Sequence, residues 1–456
     1  MARTNSSWPW PAARRSPVIR YYLKLGLLSI RTNPALSLLM VAAIGIGIGA
    51  CMSIVTIHHV MSGNPIPQKS DQLYYVQVDS WSPDEPYDEP NEPPPQMTYL
   101  DATGVYAAGK DRFRQVYSYK SDRVVQPNDQ AQQPFEVSTR ATTWEFFRMF
   151  DVPFQYGTGW GAAADENLEL VVVLSQALNE RLFGGSDSVG ERVTLNGEQW
   201  TVVGVLDYWS PMPKFYDLNN NPYEEPEQMY LPVTVAVANE HGSDGNTNCW
   251  KPFDGGYEAF LNSECVWFQT WAELPNAGAR DDYEQFLDDY VEQQKALGRF
   301  PRPMNNRISD VEEWMQIREV VDEDINVLLG LAFLFLIVCL LNTIGLLLAK
   351  VMRRAKEISL RRALGASKQA LFGQYIVEAG LIGLGGGLLG IALTWLGLRG
   401  IENLFSGFDF VQRLVVMDWS MVALAVALAI VSALAAALYP TWRAANVTPA
   451  SQLRIQ

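Results

Sequence analysis

Hydrophobic and polar positions divide this chain into two kinds of territory. Four stretches are almost free of charge: Ala35–Ile57, Ile325–Ala349, Ala379–Leu398 and Ser420–Tyr439. Each is long enough to cross a bilayer, which takes roughly 20 apolar residues. The polar stretch before the first, and the first apolar run itself, are too long for a cleaved signal peptide, and no A-x-A site follows. The first run therefore reads as a retained anchor.

Between the first two spans the pattern changes to short runs. "QLYYVQVD" (72–79) predicts a strand, and the Pro- and acid-rich "WSPDEPYDEPNEPPPQ" (81–96) a solvated loop. "TTWEFFRMFDVPF" (142–154) predicts a short helix with an aromatic face, and "LELVVVLS" (168–175) a buried strand. Ser175 caps the helix "QALNERLF", which Gly184 ends. Two β-rich runs flank Asn196-Gly197, a dipeptide that favours a type I′ hairpin turn. "QMYLPVTVAV" (228–237) predicts another strand, and 238–308 read as a second subdomain or an insertion.

Ser309 and Glu312 form a capping box. Behind it Val311, Trp314, Met315, Val321 and Ile325 keep nearly helical spacing. One helix from Ser309 to about Lys350, roughly 60 Å long, would make a rigid stalk; two helices bent at 322–324 are the alternative. The predicted fold class is an α-helical membrane protein with four transmembrane helices and a large α+β domain between the first and second. The segments are 1–34, span 35–60, domain 61–308, stalk 309–324, span 325–349, basic element 350–370, span 371–398, loop 399–419, span 420–439 and tail 440–456.

Charge orients this plan. The chain's net charge is −15, yet residues 1–34 carry six Lys/Arg and no acid, and 350–370 carry seven against one acid. Residues 61–324 carry 18 Lys/Arg against 45 Asp/Glu. The positive-inside rule then places both termini and the basic element in the cytoplasm, and the acidic domain outside. Cys51 and Cys339 fall inside spans, whereas Cys249 and Cys265 lie in the outside domain. That pair can bridge in an oxidising compartment, which would add about 3 kcal/mol, or remain two thiols.

The basic element has helical order as well as charge. Met352, Ala355, Ile358 and Leu360 alternate with basic residues, Gly365 is a natural stop, and Ser367 can cap the next helix. Such a helix lies on anionic lipid or docks a cytoplasmic protein. Nucleic acid is excluded as a partner, because no aromatic residues interleave the charges.

The run "RRAKEISLRRALGASKQALFGQYIVEAGLIGLGGGLLG" closely resembles the signature of the FtsX/MacB-type permeases of ABC transporters. The matching positions are Arg353, Arg354, Glu357, Ile358, Arg361, Arg362, Ala363, Leu364, Gly365, Ala366, Glu378 and Gly385–Gly387. The closing "YPTWRAANVTPASQLR" resembles the family's C-terminal end through Pro440, Ala444, Pro449 and Leu453. "FFRMFDVPFQYGTGW", "VVVLSQALNERLFGG" and "VGERVTLNGEQWTVVGVL" resemble its periplasmic core domain. The resemblance implies a multi-pass protein of the bacterial inner membrane, acting as a dimer with an identical or a sister permease chain. It also implies a coupling helix over 350–370 that seats Arg353, Arg354, Lys356, Glu357, Ile358, Arg361, Arg362, Leu364 and Gly365 against an ATPase.

No phosphate-cradling G-x-x-x-x-G-K-[ST] string occurs in these 456 residues. The expectation is therefore a non-enzymatic membrane subunit without a fused ATPase, no cofactor of its own, and ATP and Mg held by a separate chain. No catalytic or metal constellation stands out: His58 and His59 are neighbours pointing about 100° apart on a helix, and His241 is isolated. G-x-x-x-G spacings join Gly45 with Gly49, Gly383 with Gly387, and Gly386 with Gly390, for packing within the chain or across a dimer. Gln374, Glu378 and Asn342 are polar residues at or within spans. A buried Glu is usually paired, so Glu378 is expected to meet the basic element. The implied task is mechanotransmission: export of an amphiphile, peptide or drug, with a periplasmic adaptor and an outer-membrane channel. The alternatives are lipoprotein release and activation of a cell-wall hydrolase.

Overall fold

The computed structural model describes residues 16–127, 133–404 and 419–445. The C-terminal positions Pro449 and Leu453, and most of the 399–419 loop, lie outside them. The chain divides into two compact units, Met61–Val321 and the remainder.

Two helices come first, α1 (Ser16–Thr32) and α2 (Pro34–Met61). The Met61–Val321 unit is built on a mixed twelve-stranded sheet. Its first strands are β1 (Leu73–Gln77) and β2 (Met97–Thr98), then β3 (Arg114–Gln126) and β4 (Phe135–Thr142) after helix α3 (Tyr99–Gly109). Next come α4 (Phe146–Met149), β5 (Phe154–Gly157), α5 (Ala162–Glu166), β6 (Val171–Leu174) and α6 (Gln176–Phe183). The hairpin β7 (Arg192–Leu195) and β8 (Glu198–Leu206) precedes β9 (Met229–Pro232), α7 (Val233–Ala238), β10 (Asn248–Cys249) and α8 (Tyr257–Leu261). β11 (Cys265–Glu273), α9 (Ala277–Ala296), β12 (Arg307–Asp310) and α10 (Val311–Ile317) complete it. The strand order is β12-β1-β11-β3-β4-β9-β6-β8-β5.

Both faces of this sheet are buried, which explains why its strands read as continuous apolar runs. In β6, Val172 and Leu174 enter one core while Val171 and Val173 enter the other. The turn at Asn196 (φ 48°) and Gly197 (φ 89°) has the left-handed geometry expected of it. Ser175 accepts the Leu178 N–H, and Gly184 closes α6 at φ 64°.

Several expectations need correction. Residues 238–308, read as a second subdomain or an insertion, contribute strands to the same sheet: β11 lies between β1 and β3, and Cys249 is joined to Cys265 by a disulfide across β10 and β11. The strand expected over 228–237 stops at Pro232, which has no N–H for a ladder, and continues as α7. The 81–96 loop is only partly solvated. Asp84, Glu85, Asp88 and Glu89 are exposed, but Gln77 donates to the Pro93 and Pro94 carbonyls and Tyr75 to that of Pro95, while Arg302 donates to those of Ser82 and Pro90.

The continuous stalk is also absent. Ser309 pairs with Tyr75 inside the sheet, and the cap of α10 is Asp310, which accepts the Glu313 N–H at 2.8 Å. Val311, Trp314 and Met315 keep helical spacing because they fill this domain's core, with Trp314 stacked on Tyr75 at 3.8 Å. Glu319 turns left-handed (φ 48°), and Asp322 caps a new helix.

That helix is α11 (Glu323–Arg353), followed by α12 (Ala355–Ala363), α13 (Lys368–Leu404) and α14 (Trp419–Ala445). Pro34–Met61, Glu323–Arg353, Lys368–Asn403 and Ser420–Arg443 are long and apolar enough to cross a membrane. The glycine spacings resolve as packing within the chain. A Cβ on Gly45 or Gly49 of α2 would lie 2.8 Å from Leu389 or Leu393 of α13. From the other side, one on Gly386 or Gly390 would lie 2.6 or 2.7 Å from Ile44 or Ile48. Gly383 and Gly387 face α14, where a Cβ on each would lie 2.6 Å from Ala433 and 3.0 Å from Ala429.

Two expected outcomes follow for the purified full chain. Gly386→Ala overpacks the α2–α13 contact and should cost about 1–3 kcal/mol. Gly345→Ala, with nothing within 4 Å of its Cβ, should be neutral or slightly stabilising in thermal unfolding. In the outer domain, Arg140 and Glu227 are paired at 2.6 Å, both fully buried, with Asp217 and Lys214 alongside. Burial alone would raise the Glu227 carboxyl, but the Arg140 and Lys214 charges outweigh it and hold it well below the usual carboxylate range. Its folded-state pKa is depressed, so its stabilisation is complete above the ordinary value of 4.5 and is lost as pH falls below it. Glu227→Gln should cost about 3 kcal/mol at neutral pH, and its deficit against the native chain should narrow in denaturation series run below pH 4.5.

Candidate functional site

The basic element bends at Arg354, where α11 gives way to α12. Its apolar residues do not share one side, as the spacing suggested. Ala355 and Ile358 are buried, and Ile358 packs with Val351, Leu371 and Tyr375. Met352, Leu360 and Leu364 are 56%, 56% and 80% exposed. Arg353 and Lys356 are exposed beside them and have no ion-pair partner among the described residues. Gly365 ends the element at φ 102°, and Ser367 accepts the Ala370 N–H at 3.1 Å as α13 begins.

Lys368 is exposed as well, but Lys350, Arg354 and Arg361 bond other helices of the membrane unit. Lys350, 3% exposed near the end of α11, pairs with Glu378 of α13, 2% exposed, at 2.5 Å. Ser29 of α1 donates to Glu378 Oε1 at 2.6 Å, and Lys350 donates to Ser37 of α2 at 3.0 Å. Arg354 donates to Ser29 Oγ at 2.6 Å and also bonds Thr32. Arg361 of α12 donates to Gln374 of α13 at 3.3 Å and pairs with Glu357. Arg362 is half-buried. One ionic centre thus gathers α1, α2, α11 and α13 at the base of α12. A buried carboxylate needs its counter-charge and hydrogen bonds together, and this arrangement supplies both on Oε1.

Glu378 therefore meets the basic element through Lys350 and, by way of Ser29, Arg354. Asn342 does not join the centre: it is exposed on α11. Helix α1 was missed, although Tyr22, Leu25, Gly26, Ser29 and Ile30 of its inward side recur at helical spacing. Two of those positions are Gly and Ser, which mutes the apolar signal. The glycine lets α1 pass close to α13: a Cβ on Gly26 would lie 2.9 Å from the tip of Leu381 and 3.6 Å from the Glu378 backbone. At the other end of the membrane unit, His58 of α2 and Asn326 of α11 are hydrogen-bonded at 3.2 Å. His241 is buried beside Trp200, and burial with the nearby Arg123 charge lowers its pKa to about 4. Among the described residues no cluster of three or more His, Cys, Asp or Glu is placed to hold a metal.

Residues 37–259 match the MacB-like periplasmic core domain, and residues 329–449 match the FtsX-like permease C-terminal domain. The macrolide export ATP-binding/permease protein MacB of Chlorobium luteolum is 24% identical over 289 residues, covering 63% of this chain and 38% of that protein. The uncharacterized ABC transporter permease YvrN of Bacillus subtilis is 22% identical over 315 residues, 68% of each chain. The periplasmic region of MacB from Actinobacillus actinomycetemcomitans superposes with a TM-score of 0.36 at 12% identity, over 57% of this chain and 97% of that one. The chain thus spans well under half the length of the MacB relatives it matches. The two family matches lie in order along about three-quarters of its residues, and with its four apolar helices and the domain between the first two, this chain belongs to the FtsX/MacB-type permeases of ABC transporters.

Proposed function

We propose that this chain is the membrane subunit of an inner-membrane ABC transporter. A separate ATPase chain docks on α12, and its movement reaches the periplasmic domain. The carrying observation is the division of the basic element into two sides. Met352, Leu360 and Leu364 stand exposed beside Arg353 and Lys356, a basic and apolar face suited to an acidic or helix-C-terminal groove. Behind that face, Lys350, Arg354 and Arg361 fasten the element to α13 and α1. A push on α12 is thereby shared among helices instead of being absorbed by a loop. Two chain crossings lead into the periplasmic domain, through α2 and α11, and the His58–Asn326 bond ties these helices near that end.

In this reading ATP and Mg are bound by the partner, consistent with the lack of a phosphate-cradling string in these 456 residues. Both termini are cytoplasmic, in line with the basic charge flanking the spans. A second permease chain completes the assembly, with a periplasmic adaptor and an outer-membrane channel beyond it. The cargo class is an amphiphile, peptide or drug, supported by relatives named as macrolide exporters.

Gentle purification of the tagged chain from native membranes, followed by mass spectrometry, should recover an ABC ATPase and a periplasmic adaptor. Recovery of lipoproteins or a cell-wall hydrolase would redirect the cargo assignment, and no ATPase at all would overturn the docking role. The triple variant Arg353→Glu, Lys356→Glu, Leu364→Asp should recover at least about tenfold less ATPase, roughly 1.4 kcal/mol, with unchanged thermal unfolding. Glu378→Gln should leave ATPase capture intact but lower substrate-stimulated ATP turnover. It should also destabilise the chain by about 3 kcal/mol, because Lys350 stays buried without its counter-charge. Lys350→Met combined with Glu378→Gln should cost less than the sum of the two single changes; simple additivity would show that the pair is not coupled.

A further inference from the structure

The periplasmic domain holds a cavity of about 460 Å³ between α3, the start of β3, the segment after β4, and α5. That is within the usual size of small-molecule sites, roughly 300–1,000 Å³. Its walls include Tyr106, Tyr117 and Trp144. Tyr106 and Tyr117 meet edge to face at 5.1 Å, and Trp144 bonds the Tyr106 hydroxyl. Asp165 lines the same space.

The Asp165 carboxylate accepts only neutral donors, the Trp144 backbone N–H at 3.0 Å and the Trp160 indole N–H at 3.2 Å. No Lys or Arg among the described residues pairs with it. Arg114, also in the lining, is committed to Glu145 at 3.1 Å and Glu273 at 2.6 Å. Lys110 is exposed at the rim and makes no ion pair with Asp165. Burial pushes the Asp165 carboxyl up to about 7, the mark of a carboxylate lacking a counter-charge. Thr143 lines the cavity too; it is 1% exposed, and its Oγ1 has no hydrogen-bond partner among the described residues.

We propose that this cavity binds a small organic ammonium ion, with its charge on Asp165 and its apolar body against Tyr106, Tyr117 and Trp144. A cation between a carboxylate and aromatic faces gains both an ion pair and cation–π attraction. An anion would meet Asp165 with like charge. A neutral guest of the same shape would leave that carboxylate without a counter-charge. Asp111, Glu145 and Glu166 also line the cavity, but no group of three or more His, Cys, Asp or Glu among the described residues is placed to hold a bare metal ion. The site does not depend on what, if anything, the transporter moves.

The test uses the full chain in lipid nanodiscs and ligand-observed ¹⁹F NMR. The probes are 4-(trifluoromethyl)benzylamine and its neutral isostere 4-(trifluoromethyl)benzyl alcohol. The amine should bind saturably, and the alcohol at least about tenfold more weakly. Asp165→Asn, whose side-chain carbonyl can still accept an N–H, should weaken the amine by about tenfold and erase the difference between the probes. Equal binding of the two probes, no saturable amine binding up to millimolar concentration, or unchanged amine binding in Asp165→Asn would each overturn the proposal. Should Asp165→Asn fail to fold, Ala107→Phe carries the test. Ala107 is an exposed residue of the cavity lining, so its enlargement should exclude the amine, and retained binding would overturn the assignment.

Discussion

The membrane unit is organised around one buried ion pair. Lys350 and Glu378 sit 2.5 Å apart, each almost wholly shielded from solvent. Neither charge is tolerable there alone, since desolvation costs each ion several kcal/mol and only close, hydrogen-bonded geometry offsets it. The pair therefore constrains its surroundings. The end of α11 must lie against α13 at this level, with Ser29 of α1 within reach of Glu378 Oε1 and Ser37 of α2 within reach of Lys350. Four helices are held in register by the requirements of one carboxylate and one ammonium.

That register is possible only because the helices approach closely. The α2–α13 contact is made by glycines on both sides, Gly45 and Gly49 against Gly386 and Gly390, each facing a Leu or Ile of the other helix. Gly383 and Gly387 open the opposite side of α13 to the alanines of α14. Gly26 does the same for α1 beside Glu378. In a setting where apolar burial gives helices no reason to associate, this close packing supplies dispersion contacts. It also brings α13 into close contact with α1, α2 and α14 at once.

Much of this was legible in the sequence wherever one residue's chemistry dominated its own neighbourhood. The spans, the Asn196-Gly197 turn, the Ser175 and Gly184 caps and the pairing of Glu378 with the basic element all rest on local rules. The failures share a different cause. The helical spacing of Val311, Trp314 and Met315 was real, but it recorded burial in the periplasmic core and not continuation into α11. Residues 238–308 read as a second subdomain or an insertion because the partners of β11 are β1 and β3, some 150 to 200 residues earlier in the chain. Helix α1 escaped notice because its buried face uses Gly26 and Ser29. The Asp165 cavity left no sequence signal, since its walls come from α3, β3 and α5, which only the fold brings together.

The basic element itself looks like one feature in the sequence and is two in the structure. As a topology signal, any of its seven cations would serve equally. The fold does not treat them equally. Lys350, Arg354 and Arg361 are spent on Glu378, Ser29, Thr32 and Gln374, and these bonds hold α12 in place, though only Lys350 is fully buried. Arg353 and Lys356 remain on the surface with Met352, Leu360 and Leu364, where charge and apolar area are both exposed. Anchoring and display thus alternate along the same short segment, as a helix permits when neighbouring positions face different ways. A docked partner would then press on a face whose reverse side is bonded to the buried ion pair. Lipid contact alone would account for the exposed residues but gives no reason for the anchoring behind them, and that asymmetry is what favours a protein partner on this face.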